Sequence, residues 1–133
     1  FYGARLALWD LLKIISLLAS RIKKWTLACD KALNRLMCYI DSTEDHIMEC
    51  WFGDDLDNIN LRLYADADFA GGKADYKSTS LQYFSWSDRF SVAAESVRLT
   101  CAATSTPDAE EASAFLAMKS MGMPAMDLWD VVM

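Results

Sequence analysis

LRLYADADFAG, residues 61–71, decides the fold. Leu61, Leu63 and Ala65 alternate with Arg62 and Tyr64, the two-residue period of a strand with one covered face. Asp66 and Asp68 then arrive two apart at the strand's end, and Gly71-Gly72 breaks it. Two acids at such a place cost stability unless water, a helix end or a cation meets them. The pair is a candidate site for a hard divalent ion such as magnesium.

Outward from this strand, residues 79–86 (TSLQYFSW) and 97–103 (VRLTCAA) are predicted strands, and residues 47–52 (IMECWF) a third. GDDLDNIN, residues 53–60, is an acidic loop with turn chemistry. STPDAEEASAFLAMKS, residues 105–120, is the best-signalled helix. Thr106 is its N-cap candidate, Pro107 suits the first helical position, and Asp108, Glu110 and Glu111 load the positive end of the dipole. Gly122 and Pro124 are expected to stop it, with PAMDLWDVVM starting a new amphipathic turn or two.

The amino-terminal part is helical. Residues 4–21 (ARLALWDLLKIISLLASR) carry one narrow polar stripe, Asp10, Lys13, Ser16 and Ser20, on an otherwise apolar surface that calls for burial on most sides. Arg21, Lys23 and Lys24 would suit a membrane flank, but two charges interrupt an apolar run already shorter than the roughly 18–20 residues a span needs. Membrane contact is therefore the disfavoured reading beside core or partner packing. Residues 27–40 form a second helix with Ala28, Ala32, Leu36, Met37 and Tyr39 as its apolar positions, ended by DSTEDH.

Composition bounds the function. The 133 residues are 53% hydrophobic with a mean hydropathy of +0.07, enough for a core. Thirteen bases face 19 acids, a net charge of −6. Residues 1–45 carry about +2 and residues 46–133 about −8, which counts against autonomous nucleic-acid binding but not against a carboxylate metal site. Cys29, Cys38, Cys50 and Cys101 show no C-x-x-C spacing, and His46 is the only histidine. Zinc sites and histidine triads are disfavoured, and reduced thiols in an intracellular compartment are expected. The start at Phe1 suggests a segment of a longer precursor, and no secretory leader is visible.

Three motifs in order carry a resemblance. Tyr64 to Gly71 read YADADFAG, Asp75 to Ser80 read DYKSTS, and Ser105 to Glu110 read STPDAE. From about Trp25 onward the chain resembles the Pol polyprotein of copia-type retrotransposons, where reverse transcriptase runs into ribonuclease H. WTLACDKALNRLMCYI resembles the helical connection upstream of that domain, and MPAMDLWDVV resembles the segment after the acidic helix. The fold class implied is α+β or α/β: a helical connection segment over residues 1–45, then a partial ribonuclease H-like domain over 46–133, with antiparallel strands and a helix on the sheet. The resemblance implies catalytic and metal-ligating roles for Asp66 and Glu110, with Asp68 as an auxiliary ligand. The cofactor implied is Mg2+ or Mn2+, and the substrate an RNA–DNA hybrid.

The departures are specific. No aspartate–asparagine pair follows Glu110, and beyond its neighbour Glu111 the later acids are Asp127 and Asp130. Leu81 replaces the glycine after K-S-T-S, and Glu95 stands where a lysine would serve the nucleic acid. A missing third carboxylate and an acidic surface predict little or no cleavage. The alternative is a non-catalytic small subunit, packing its apolar first helix on protein partners in a larger assembly that could include a membrane.

Overall fold

The computed structural model describes residues 3–4, 7–51, 53, 55, 58–71 and 76–132, with Val132 described by its backbone alone. Asp75 and Gly72 of the motif region, Arg5 and Leu6 of the expected first helix, Phe52 of the expected 47–52 strand, and Asp54, Leu56 and Asp57 of the acidic loop lie outside these residues. The chain divides into two compact units, Phe1–Glu49 and Cys50–Met133. Helices and one antiparallel sheet make it an α+β protein.

The first unit is helical. A 3-10 turn, Trp9–Leu11, leads into α1 (Leu12–Ser20). A second 3-10 turn, Ile22–Lys24, precedes α2 (Leu27–Ser42). The long helix expected from residue 4 is interrupted rather than continuous: Gly3 and Ala4 are helical, and the break falls at Leu8, at φ −126°, ψ 62°, outside the helical region. Leu11, Leu18, Cys29 and Leu36 form the buried cluster, with Leu8, Ile14, Ile15, Ala32 and Ile40 packed around it. The inner face of α2 is thus Cys29, Ala32, Leu36 and Ile40. Ala28, Met37 and Tyr39, expected as apolar contacts, are exposed. Tyr39 uses its outward place to donate a 2.6 Å hydrogen bond from its hydroxyl to Asp10 Oδ2. The Trp25 indole donates to Asp30 Oδ1 at 2.7 Å, beside the first turn of α2.

The second unit holds β1 (Leu61–Asp68), β2 (Thr79–Trp86) and β3 (Phe90–Arg98), antiparallel in the order β1-β2-β3. The expected strand at 97–103 is displaced: β3 ends at Arg98, and the Leu99 amide closes onto the Ser78 carbonyl at 2.9 Å. A tight loop, Ser87–Arg89, joins β2 to β3, with Ser87 at φ 49° and Asp88 at φ 59°. Residues 47–51 form no strand. The Trp51 amide makes a single 3.1 Å bond to the Arg89 carbonyl, and Ile47 and Trp51 remain exposed, so the apolar run there lacks the ladder a strand requires.

Cross-strand partners share a face. Ala67 pairs with Ser80, Ala65 with Gln82 and Leu63 with Phe84. That face receives α3 (Thr106–Ala117), which continues through a π-helical turn, Met118–Gly122, into α4 (Met123–Val132). Gly122 and Pro124 therefore do not stop the helix. The wider turn absorbs Gly122, whose missing side chain leaves room for Leu63; an added Cβ would come within 3.1 Å of Leu63 Cδ2. The N-cap is Ser105 rather than Thr106: its hydroxyl accepts from the Asp108 amide at 3.3 Å. Asp108 in turn accepts from the Thr104 amide at 2.7 Å. At the far end Trp129 meets Trp86 edge-on, with ring centroids 6.4 Å apart.

Candidate functional site

α3 lies close against β1 because the residues facing the sheet are small. Ala109, Ser113 and Ala117, each one turn after the last, have no exposed surface. The Ser113 hydroxyl donates to the Asp66 backbone carbonyl at 2.9 Å. Its proton is thereby committed, so in the 2.6 Å contact between Ser80 and Ser113 the Ser80 hydroxyl is the donor. Gln82 Nε2 donates to Ser80 Oγ at 3.2 Å, and the Ser120 hydroxyl donates to Gln82 Oε1 at 2.7 Å. A directed chain of hydrogen bonds thus runs Ser120, Gln82, Ser80, Ser113, Asp66. It satisfies the buried polar groups between sheet and helix, as their burial demands.

The helix runs antiparallel to β1: Ser113 meets Asp66, Gly122 lies against Leu63, and Trp129 reaches Trp86, the partner of Leu61. Glu110 is one turn before Ser113, about 5 Å along the axis toward the carboxyl end of β1. That is the end carrying Asp66 and Asp68. Asp66 and Glu110 are both exposed, and neither side chain forms a hydrogen bond or ion pair with a described residue. By strand alternation Asp66 shares the face of Tyr64 and Leu81, not the face α3 covers. Asp66 thus projects from the face of β1 opposite the one covered by α3, the helix that carries Glu110.

Asp68 differs. Its Oδ1 accepts the Thr79 amide at 2.5 Å, tying the end of β1 to the start of β2. Gly71 folds against the same carboxylate, and a Cβ there would overlap it. Asp68 is thus engaged in holding the β1–β2 connection. Lys77 and Ser78 of the second motif are structural too: the buried Ser78 hydroxyl accepts the Ala70 amide at 3.1 Å, and Lys77 Nζ donates to the Thr100 carbonyl at 2.6 Å. Tyr64 donates to Asp88 Oδ1 at 2.6 Å, beside the Arg62–Asp88 ion pair at 2.5 Å. The Tyr64 hydroxyl and the Asp88 charge hold the Arg62 pKa above its ordinary value.

Asp127 and Asp130 lie on α4, which packs toward the opposite, amino-terminal end of β1. Among the described residues, no three carboxylate, thiol or imidazole side chains come together as a metal-binding group. As hard oxygen donors, Asp66 and Glu110 fit magnesium in kind. The described set falls short of the carboxylate cage that two-ion hydrolysis requires. All four cysteines are free thiols. No helix among the described residues is long and apolar enough to cross a membrane.

The functional residues that sequence pattern does not reveal are the polar ones beneath α3. Ser80, Gln82, Ser113 and Ser120 read as surface positions in isolation. The one available signal is the Ala109–Ser113–Ala117 spacing, which marks a face made for close approach. No family model, curated protein or solved structure matches the chain.

Proposed function

We propose that the Cys50–Met133 unit is a partial ribonuclease H-like module of copia-type retrotransposon ancestry. In this reading Asp66 and Glu110 are the surviving carboxylates of a divalent-metal site. The observation that carries it is the Ser113–Asp66 hydrogen bond, which lays an acidic helix along the strand bearing the D-A-D motif and brings the turn of Glu110 to the motif's end. The order of the three motifs supports the same reading. A bound magnesium or manganese ion would supply an activated water and charge stabilisation for phosphodiester cleavage. With Asp68 engaged at Thr79 and the later acids at the far end of β1, the module cleaves weakly or not at all.

The test is magnesium and manganese titration of the folded chain by calorimetry, with cleavage of an RNA–DNA hybrid measured beside it. Weak metal binding that is lost in Asp66→Asn, with negligible cleavage, is the expected result. Metal binding indifferent to both Asp66→Asn and Glu110→Gln would remove the site. Cleavage abolished by Asp66→Asn would show a complete one.

A second reading, a non-catalytic subunit held in an assembly by its first unit, draws on Leu17 of α1 and Ile22 of the 3-10 turn that follows it, which remain 46% and 69% exposed. Asp66-independent behaviour, with insolubility relieved by Leu17→Ser and Ile22→Ser, would favour it.

A further inference from the structure

β1 is an edge strand: among the described residues only β2 pairs with it. Three bonds fix which of its backbone groups face outward. The Ser87 amide donates to the Asn60 carbonyl at 2.8 Å, the Thr79 amide reaches back to the Asp68 carboxylate, and the Leu99 amide donates to the Ser78 carbonyl. Odd residues of β2 therefore turn their backbone groups to β1 and even ones to β3. The amides and carbonyls of Leu61, Leu63, Ala65 and Ala67 then point away from β2. The side chains at this edge are open as well. Tyr64 is 47% exposed, and Ala65 on the side of α3 and Asp66 on the other side are both exposed. No proline or bulge blunts the strand over its eight residues.

We propose that β1 pairs antiparallel with β1 of a second copy of this chain, about a two-fold axis through Tyr64, to form one continuous sheet across both copies. Such an axis, normal to the sheet, pairs residues only where both lie on one face, so the registers it allows differ in steps of two. With the axis at Tyr64, Leu61 meets Ala67 of the second copy, Leu63 meets Ala65, and every outward amide and carbonyl of these residues gains a partner. Arg62 then stands opposite Asp66 twice, in the non-hydrogen-bonded pairs where facing side chains come closest. The Asp66 carboxylate has no partner among the described residues. An axis at Leu63 would set Arg62 against Tyr64. An axis at Ala65 would set it against Asp68, whose carboxylate already takes the Thr79 amide. Charge and ladder thus select the same register. The helices fit it too. Ser113 bonds both Asp66 of β1 and Ser80 of β2, which places α3 over the seam between these strands. With strands about 4.8 Å apart, the two copies of α3 would run antiparallel about 10 Å apart, the spacing at which helices pack. A lone peptide strand at this edge would bring neither the second helix nor a fixed acid for Arg62.

The pairing does not depend on a metal at Asp66, so the experiment is run without divalent ions. It is sedimentation equilibrium of the full chain over a range of concentrations. A reversible monomer–dimer equilibrium is expected. Asp66→Arg and Arg62→Asp should each weaken the dimer tenfold or more, since each sets like charges opposite one another twice. Mixed in equal amounts, the two variants should form a heterodimer tenfold or more tighter than either forms alone, because every facing pair is again of opposite sign. Ala65→Pro removes one outward amide without touching the β2 ladder and should also weaken the dimer tenfold or more. Circular dichroism establishes that each variant is folded, and the mixing experiment decides if Ala65→Pro does not fold. A monomer at every concentration up to about 1 mM, a dimer indifferent to both charge reversals, or variants that stay apart when mixed would overturn the proposal.

Discussion

The Ser113 hydroxyl donates to the backbone carbonyl of Asp66 at 2.9 Å and fixes the acidic helix to the motif strand. A hydroxyl of one helix residue thereby sets how close α3 comes to β1. Ser113→Ala is expected to leave the Ser80 hydroxyl without its acceptor and the Asp66 carbonyl without this donor. The loss should be about 1–3 kcal/mol, read from the urea midpoint. Ser80→Ala in the same background should cost less than it does alone, because its partner is already gone. Strict additivity of the two changes would refute the coupled chain.

The Ser105 cap predicts a smaller effect. Ser105→Ala removes the acceptor for the Asp108 amide and should cost about 1 kcal/mol. Thr106→Ala should cost less, since the cap lies one residue earlier than the sequence suggests. Equilibrium unfolding of the two variants side by side separates the positions, and a larger loss at Thr106 would place the cap there.

Gly71 and Asp68 form a third testable pair. A Cβ at residue 71 overlaps the carboxylate that receives the Thr79 amide. Gly71→Ala should therefore cost about 1.5–3 kcal/mol, the usual contribution of a hydrogen bond to a charged group. In an Asp68→Ala background the same change should be nearly silent. A full-sized effect there would mean that the glycine serves something other than the carboxylate.

Tyr39 gives a pH dependence. Its hydrogen bond to Asp10, with the Asp10 charge and burial adding to it, raises the phenol pKa above its ordinary value of about 10. The phenol is held protonated in the folded state more strongly than in the unfolded one. The stabilisation is thus fully present below about pH 10 and is lost as pH rises through the higher folded value. Phenolate absorbance should show one tyrosine titrating late, absent in Tyr39→Phe. The alkaline loss of stability in the helical unit should disappear in that variant. A titration identical in the two proteins would contradict the Asp10 bond.

The fold is legible in the sequence where pattern and burial coincide. Alternation of half-buried Leu61 and Leu63 with exposed Arg62 and Tyr64 marks β1, although Ala65 is itself exposed, and residues 79–86 match β2 from end to end. β3 is obscured because its turn uses Ser87 and Asp88 at positive φ, without the glycine that usually announces a tight hairpin. Its buried positions include Ala94 and Ser96, which carry little hydrophobic signal. The apolar run VRLTCAA attracts the strand reading downstream instead. The site is legible as residue types: two acids on a strand end and a glutamate in a helix's first turn. The engagement of Asp68 is not, because it depends on an amide eleven residues away. Nor is the burial of Ser80 and Ser113, since a hydroxyl declares no preference for inside or outside until its partners are placed.

The π-helical turn at Met118–Gly122 has a consequence for sequence change along the whole carboxyl-terminal helix. It holds one residue more than a regular turn. Removing a single residue between Met118 and Met121 would close the turn to the ordinary pitch and leave α4 facing almost the same way, because five residues of the wider turn rotate the helix about as far as four of a regular one, roughly 400°. Trp129 would stay against Trp86. A one-codon deletion in the regular part of α3 or α4 has no such slack and would swing everything after it by about 100°. The turn is thus a place where the helix tolerates a change of length.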